Sequence, residues 1–181
     1  VSRLANVLRG FGIDKGDRVA IYLPMIPELP MSLLACARIG AIHSVIFGGF
    51  SPDSIIDRVN DAEAKVIITA DAGYRRGKPS ALKPNVDAAM GRCPTVEKVL
   101  VVDRCGTEVE MVEGRDVAYA EAVGGVDAHC EPEVMDSEDP LYILYTSGTT
   151  AKPKGIVHTT AGYLAQIAWT TREVFDLKPD H

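Results

Sequence analysis

Leu141-Tyr142-Ile143-Leu144-Tyr145-Thr146-Ser147-Gly148-Thr149-Thr150-Ala151-Lys152-Pro153-Lys154-Gly155 sets five apolar residues directly before a polar stretch rich in hydroxyls, glycine and lysine. Leu141–Tyr145 reads as a strand. Thr146–Gly155 has no period and reads as a loop, and Thr159–Phe175 reads as a helix. Strand, loop and helix in that order form the repeating unit of α/β folds, where ligands bind beyond the carboxyl ends of strands.

The same alternation runs back to the start of the chain. Leu4, Val7, Leu8 and Phe11 share one helical face, and that helix should stop near Gly12. Arg18–Leu23 is a short strand ended by Pro24. A helix over Glu28–Arg38 carries Leu29, Leu33, Leu34 and Ala37, with Gly40 as its stop. His43–Phe47 is a second apolar strand, broken by Gly48-Gly49. Ser51 suits an N-cap and Pro52 a first helical position, ahead of a stripe of Ile55, Ile56 and Val59. Lys65–Thr69 and Lys98–Val102 complete the apolar strands. A short helix is expected over Asn85–Met90, a loop or hairpin over Arg104–Gly114, a short helix over Val117–Val123, and an acidic surface connection over Asp127–Pro140. Near-continuous apolar strands separated by helices predict an α/β fold with a largely parallel sheet flanked by helices.

Composition narrows the function classes. The chain has 181 residues, 46% hydrophobic and 24% charged, with a formal net charge of -6. A mildly acidic protein offers no electrostatic reason to bind nucleic acid or an anionic membrane. No apolar run reaches the length of a membrane span, and the first residues lack the apolar region of a signal peptide. Cys36, Cys93, Cys105 and Cys130 lie far apart, and with the four histidines they complete no zinc spacing, so no metal site is expected. Idle thiols and the absence of a targeting segment make the cytoplasm the expected compartment. Both ends enter or leave an element abruptly, which is the expectation for a piece of a longer chain.

The candidate chemistry is in the loop. Gly148 and Gly155 allow close approach of backbone N–H groups to an anion, Ser147, Thr149 and Thr150 add hydroxyls, and Lys152 and Lys154 add charge around the stiff Pro153. Such a set suits polyphosphate. It is not a Walker A loop, because no Gly-Lys-Ser or Gly-Lys-Thr ending is present.

Tyr145-Thr146-Ser147-Gly148-Thr149-Thr150-x-x-Pro153-Lys154-Gly155 resembles the motif of the AMP-forming, adenylate-making enzymes. Tyr22–Glu28, Ala35–Ser51, Val66–Asp71 and Val157–Thr160 resemble the acetyl-CoA synthetase branch. The resemblance implies an incomplete portion of the large adenylating domain over residues 1–181, with the rest of that domain and a small C-terminal domain lying outside it. It implies a ligase that joins acetate to AMP from ATP-Mg2+, releasing pyrophosphate, and then passes the acetyl group to coenzyme A. The piece alone is expected to be inactive. A propionyl-CoA synthetase, another short-chain acyl-adenylating ligase and a non-catalytic nucleotide-binding module stay open.

Carried over by the resemblance, Thr146, Ser147, Gly148, Thr149, Thr150 and Lys154 hold the β- and γ-phosphates, with Lys154 acting on the departing pyrophosphate. Gly48 and Gly49 fall near the coenzyme A channel. Arg75 matches an arginine that contacts its phosphates, and Lys78 stands where a second arginine is usual, with charge but no bidentate fork. The residues themselves also allow plainer readings, a solvated turn for Arg75–Lys78 and a tight turn for Gly48-Gly49. Ala151 stands where the family commonly has glycine. His158 is expected to pack or cap near a helix start, and His43 to be a satisfied core histidine. Asp136, Glu138 and Asp139 are expected to form a solvated face, with Asp139 bracing the incoming strand. Tyr163, Trp169 and Phe175 are expected in the core.

Overall fold

A computed structural model describes residues 1–146 and 153–178. In chain order the elements are α1 (Ser2–Gly10), β1 (Arg18–Tyr22), α2 (Glu28–Arg38), β2 (Ile42–Val45), α3 (Pro52–Ala62) and β3 (Val66–Ala70). They continue with β4 (Ala72–Arg75), β5 (Lys78–Ala81), α4 (Lys83–Met90), β6 (Lys98–Val102), β7 (Asp116–Ala118) and α5 (Tyr119–Gly124). The last three are β8 (Pro140–Thr146), β9 (Lys154–Thr159) and α6 (Thr160–Glu173).

Seven strands form one sheet in the order β7-β6-β3-β1-β2-β8-β9, with every neighbouring pair parallel except β8 and β9. The largely parallel sheet expected from the apolar runs is therefore present. Its central strands are buried on both faces, which is why Val66-Ile67-Ile68-Thr69-Ala70 contains no exposed position to interrupt the run. Each fully buried isoleucine there is worth about 1.5–3 kcal/mol against exposure.

Right-handed crossovers put α2 on one face and α3 and α4 on the other. The packing agrees, since α1 packs on α2 and α5, and α3 packs on α4. The chain thus leaves β1 toward one face but leaves β2 and β3, its two neighbours, toward the other. Such a switch point opens a crevice at the carboxyl ends of the three strands.

Several elements differ from expectation. The weakly patterned segment after Ala70 holds a two-stranded antiparallel hairpin, β4–β5, apart from the main sheet. Its turn uses Arg76 (φ 51) and Gly77 (φ 76), the two left-handed positions of a tight hairpin. The loop after β8 leads into the antiparallel strand β9 and not into a helix, so His158 lies in a strand. β8 is half-buried rather than buried, and only the edge strand β9 lies beyond it in the sheet.

The connection from Asp127 to Asp139 has no regular structure, and side chains of the first helices hold its carbonyls. Asn6 Nδ2 donates to the carbonyls of Asp127 (2.9 Å) and His129 (2.7 Å), and Arg38 Nε to that of Cys130 (2.6 Å). Asp139 takes a salt bridge from Lys15 at 2.7 Å, and its carbonyl accepts the Thr160 N–H and hydroxyl. Asp139 does brace the entry to β8.

Candidate active site

The crevice at the switch point is a cleft of about 350 Å³, lined in part by Leu23, Pro24, Met25, Gly48, Gly49 and Arg75. Leu23–Met25 follow β1, Gly48 and Gly49 follow β2, and Arg75 ends β4. The adjacent candidates Gly48 and Gly49 and the distant Arg75 therefore meet in one place.

Of the two glycines, Gly49 is there for space. Neither has a positive φ. A Cβ on Gly49 would lie 2.7 Å from Phe47 Cε1 and 2.9 Å from Arg75 Nη1, and one on Gly48 would touch Leu82 and the Leu23 carbonyl at 3.4 and 3.5 Å. The turn is tied down from below by Tyr22, fully buried in β1, whose hydroxyl donates to the Phe50 carbonyl at 2.8 Å and accepts from Asn85 Nδ2 at 3.2 Å.

The β4–β5 hairpin presents three cations. Arg75 pairs with Lys78 across the hairpin, and both are exposed along with Arg76. The plainer reading of this segment as a solvated turn describes the Arg76-Gly77 tip, while Arg75 also lines the cleft.

Arg104 is a second cation on the cleft wall, beside Arg75, and sequence reasoning did not single it out. Asp71, at the carboxyl end of β3, folds its loop: the carboxylate accepts the backbone N–H groups of Arg104 (2.8 Å), Cys105 (3.0 Å) and Thr107 (2.8 Å). Burial alone would raise the Asp71 pKa, but these N–H groups outweigh it and hold the group below the ordinary carboxylate value. An aspartate just past an apolar strand was the available signal.

Behind the hairpin lies an ion cluster that was also not anticipated. The fully buried Lys83 ammonium meets Asp87 at 2.7 Å, Asp116 at 2.8 Å and the Glu110 carbonyl at 2.8 Å. Arg115 bonds Asp116 and Asp87. Burial pushes the Asp116 pKa up, and the bonds from Arg115 and Lys83 overcome it, so that the carboxyl titrates below its usual value.

The second candidate group lies at the carboxyl end of β8, which is parallel to β2, so it opens on the same end of the sheet as the cleft. Thr146 and Lys154 face each other across β8–β9, and Tyr145 faces Gly155. Ser147, Gly148, Thr149, Thr150, Ala151 and Lys152 lie outside the described residues. Gly155 has no positive φ; a Cβ there would lie 3.0 Å from Ile143 Cγ2 and 3.1 Å from Tyr145 Cε1. Its conformational freedom is not in use, and the motif needs glycine at this position to seat an aromatic ring.

The remaining residues separate into packing roles. His158 stacks on Tyr142 with centroids 4.3 Å apart, as expected of a packing histidine. His43 stacks on the other side of the same ring at 5.4 Å and is buried, but Nδ1 finds no partner among the described residues. It is a core histidine and not a satisfied one; burial pushes its pKa down to about 4. Tyr163 meets Tyr142 edge-on at 5.2 Å. Trp169 and Phe175 depart from the expected core, at 58% and 67% exposure, because none of the described elements lies over that side of α6. The four cysteines are free, three of them buried. Among the described residues no cluster of histidine, cysteine, aspartate or glutamate could hold a metal ion, and no helix is long and apolar enough to cross a membrane.

A family model described as AMP-binding enzyme matches residues 1–181. The chain belongs to the AMP-binding enzyme family. Acetyl-coenzyme A synthetase of Streptomyces avermitilis is 62% identical over 180 residues, covering 99% of this chain and 28% of the relative. The protein of the same name from Rubrobacter xylanophilus is 61% identical over 180 residues, with the same coverage. Among solved structures, acetoacetyl-CoA synthetase from Streptomyces lividans superposes with a TM-score of 0.89 at 32% identity, over 98% of this chain and 27% of that one. The chain spans about 28% of the length of the curated relatives it matches. An α/β sheet flanked by helices is thus the N-terminal adenylating architecture of AMP-forming ligases.

Proposed function

We propose that this AMP-binding enzyme acts, in its full-length form, as an acetate–CoA ligase. Acetate attacks the α-phosphorus of MgATP to give acetyl-AMP and pyrophosphate; the coenzyme A thiol then takes the acetyl group and AMP leaves. The observation that carries this reading is the convergence of Gly48, Gly49 and Arg75 on one cleft, opening on the same end of the sheet as Thr146 and Lys154. Similarity to acetyl-coenzyme A synthetases along 99% of the chain supports the choice of acid. In this reading residues 1–181 are part of the large adenylating domain, and a small C-terminal domain works with it.

Lys154 and the hydroxyl of Thr146, with Ser147, Gly148, Thr149 and Thr150, hold the β- and γ-phosphates. They stabilise the charge that grows on pyrophosphate as it departs. Magnesium arrives with ATP. Arg75, Lys78 and Arg104 supply positive charge for the phosphates of coenzyme A, and the narrow path over Gly48 and Gly49 passes its chain.

Acetate-dependent ATP–pyrophosphate exchange by the full-length protein, with propionate as the competing acid, tests the reading. Acetate is expected to give the higher kcat/KM, and Lys154→Ala to reduce exchange by about 10²–10³-fold, as for loss of one preorganised transition-state donor. Exchange that never rises above the no-acid background refutes the ligase; a preference for propionate refutes the acid.

A further inference from the structure

The cleft and the β8–β9 stem are joined by a stack of side chains that none of the assigned roles uses. Phe47, on the cleft wall, meets Phe50 edge-on with centroids 5.6 Å apart. The Arg58 guanidinium from α3 lies over the Phe50 ring, 4.5 Å from its centroid, and 5.7 Å from the centroid of Tyr145. The Tyr145 hydroxyl donates to Asp61 Oδ2 at 2.6 Å, one helical turn beyond Arg58. The same Tyr145 ring rests against the bare Cα of its cross-strand partner Gly155, and the next facing pair is Thr146 and Lys154.

A buried arginine needs an account. Arg58 is 7% exposed, and its Nη1 donates to the Ser54 carbonyl at 2.8 Å within its own helix. The Phe50 and Tyr145 rings both lie within cation–π range of its charge, and a planar guanidinium can also stack on an aromatic face, which an ammonium cannot. A packing residue alone would not require a charge here, and an aliphatic side chain of similar volume would fill the gap at lower desolvation cost.

We propose that Arg58 is a positioning residue for the adenylation step. It fixes Tyr145, and through Tyr145 and Gly155 the facing pair Thr146–Lys154, relative to the Gly48–Phe50 turn. Asp61 completes the clamp by holding the far end of the Tyr145 ring. The role in adenylation rests on the ligase reading given above, whereas the clamp itself is a statement about the stem.

The test uses full-length protein carrying Arg58→Lys, Arg58→Met or Tyr145→Phe. Amide hydrogen exchange is followed in peptides covering residues 140–159 and, as internal reference, those covering β1 and β3. Arg58→Lys is expected to speed exchange in the β8–β9 peptides about tenfold and leave β1 and β3 within twofold. In acetate-dependent ATP–pyrophosphate exchange it should raise the KM for MgATP or lower kcat by about tenfold, with the KM for acetate within twofold of the parent. Arg58→Met should exceed it, since charge and plane are both lost, and Tyr145→Phe should show a smaller effect of the same pattern. If Arg58→Met does not fold, the other two variants decide. Unchanged exchange in the β8–β9 peptides overturns the clamp, and so does an equal acceleration in β1 and β3, which marks a merely structural residue. A stem loosened by hydrogen exchange but with parental kinetics in Arg58→Lys overturns its role in adenylation. Failure of the parent protein to support acetate-dependent exchange counts against the ligase reading alone, because the amide measurement needs no activity.

Discussion

Gly49→Ala separates the two halves of the proposed reaction. The backbone accepts alanine, since Gly49 does not have a positive φ, and fewer unfolded conformations would by themselves add about 0.4–1 kcal/mol of stability. The steric term opposes it: the new methyl would sit 2.7 Å from Phe47 Cε1 and 2.9 Å from Arg75 Nη1. Both contacts are the far ends of side chains, so the side chains move and the fold remains. Arg75 must retreat by about half an ångström or more to regain a normal contact. A charge-assisted hydrogen bond is worth about 1.5–3 kcal/mol, so complete loss of one from Arg75 to a coenzyme A phosphate gives about 10- to 150-fold in affinity. Gly49→Ala is therefore expected to lower kcat/KM for coenzyme A by about one to two orders of magnitude. Acetate-dependent ATP–pyrophosphate exchange, run without coenzyme A, should stay within about threefold of the parent, and the melting temperature should be unchanged. A kcat/KM for coenzyme A within twofold of the parent, or an equal fall in pyrophosphate exchange, would refute the assignment of this cleft.

Two further predictions concern the scaffold. Lys83→Met leaves the buried Asp116 carboxylate without one of its two cations and should destabilise the full-length protein by about 3–5 kcal/mol in denaturant titration; Asp116→Leu placed in the same chain should recover a large part, and a loss below about 1 kcal/mol contradicts the buried-pair account. His43 is neutral in the folded protein down to about pH 4, while in the unfolded chain it takes up a proton near 6.5. Stability attributable to His43 is then complete above pH 6.5 and falls as the pH drops toward 4, by about 3 kcal/mol in all. His43→Phe, which keeps the stack on Tyr142, should flatten that part of the stability–pH curve; an unaltered slope shows that the histidine does not carry it.

The parts of the fold that sequence could convey are those whose cause is local. Val66–Ala70 and Lys98–Val102 are apolar at nearly every position because both sheet faces are covered, and Ser51-Pro52 announces a helix whose cap geometry is confined to four residues. The β4–β5 hairpin has no such mark. Its turn rests on an arginine in the left-handed region, where asparagine or aspartate is the recognisable choice, and its strands are four residues long and partly exposed. β9 was hidden for a different reason. Ile156-Val157 is a β-branched pair, but it lies between the motif and a helix, so nothing local separates it from either. The candidate site follows the same division. The motif residues were readable as a group because they are adjacent, and resemblance added Gly48, Gly49 and Arg75. That Arg104 joins them depends on Asp71 gathering three N–H groups from a loop more than thirty residues away, which no spacing encodes.

The glycines of the site change what the motif can be taken to mean. Glycine in a phosphate-binding segment invites a reading in terms of left-handed backbone, yet Gly48, Gly49 and Gly155 all lack a positive φ, and Gly49 and Gly155 stand where a methyl would press on a neighbour. The neighbours differ, and the difference assigns the roles. Gly49 yields room to Arg75, a group placed to meet a ligand, so enlarging it alters recognition. Gly155 yields room to Tyr145, a group that meets Asp61 and Arg58, so enlarging it alters how the stem is held. One turn serves both arrangements: Gly48 and Gly49 line the cleft, and Phe50, anchored by Tyr22 from the centre of the sheet, carries the stack toward Tyr145. Because the Tyr22 anchor is a buried hydroxyl bonded to backbone, the turn is a fixed reference from which both the cationic wall and the Thr146–Lys154 pair are measured. The proposed transfer of an acyl group between two phosphate-bearing substrates calls for such a shared reference, since proximity accelerates reaction only when both partners are held in one frame.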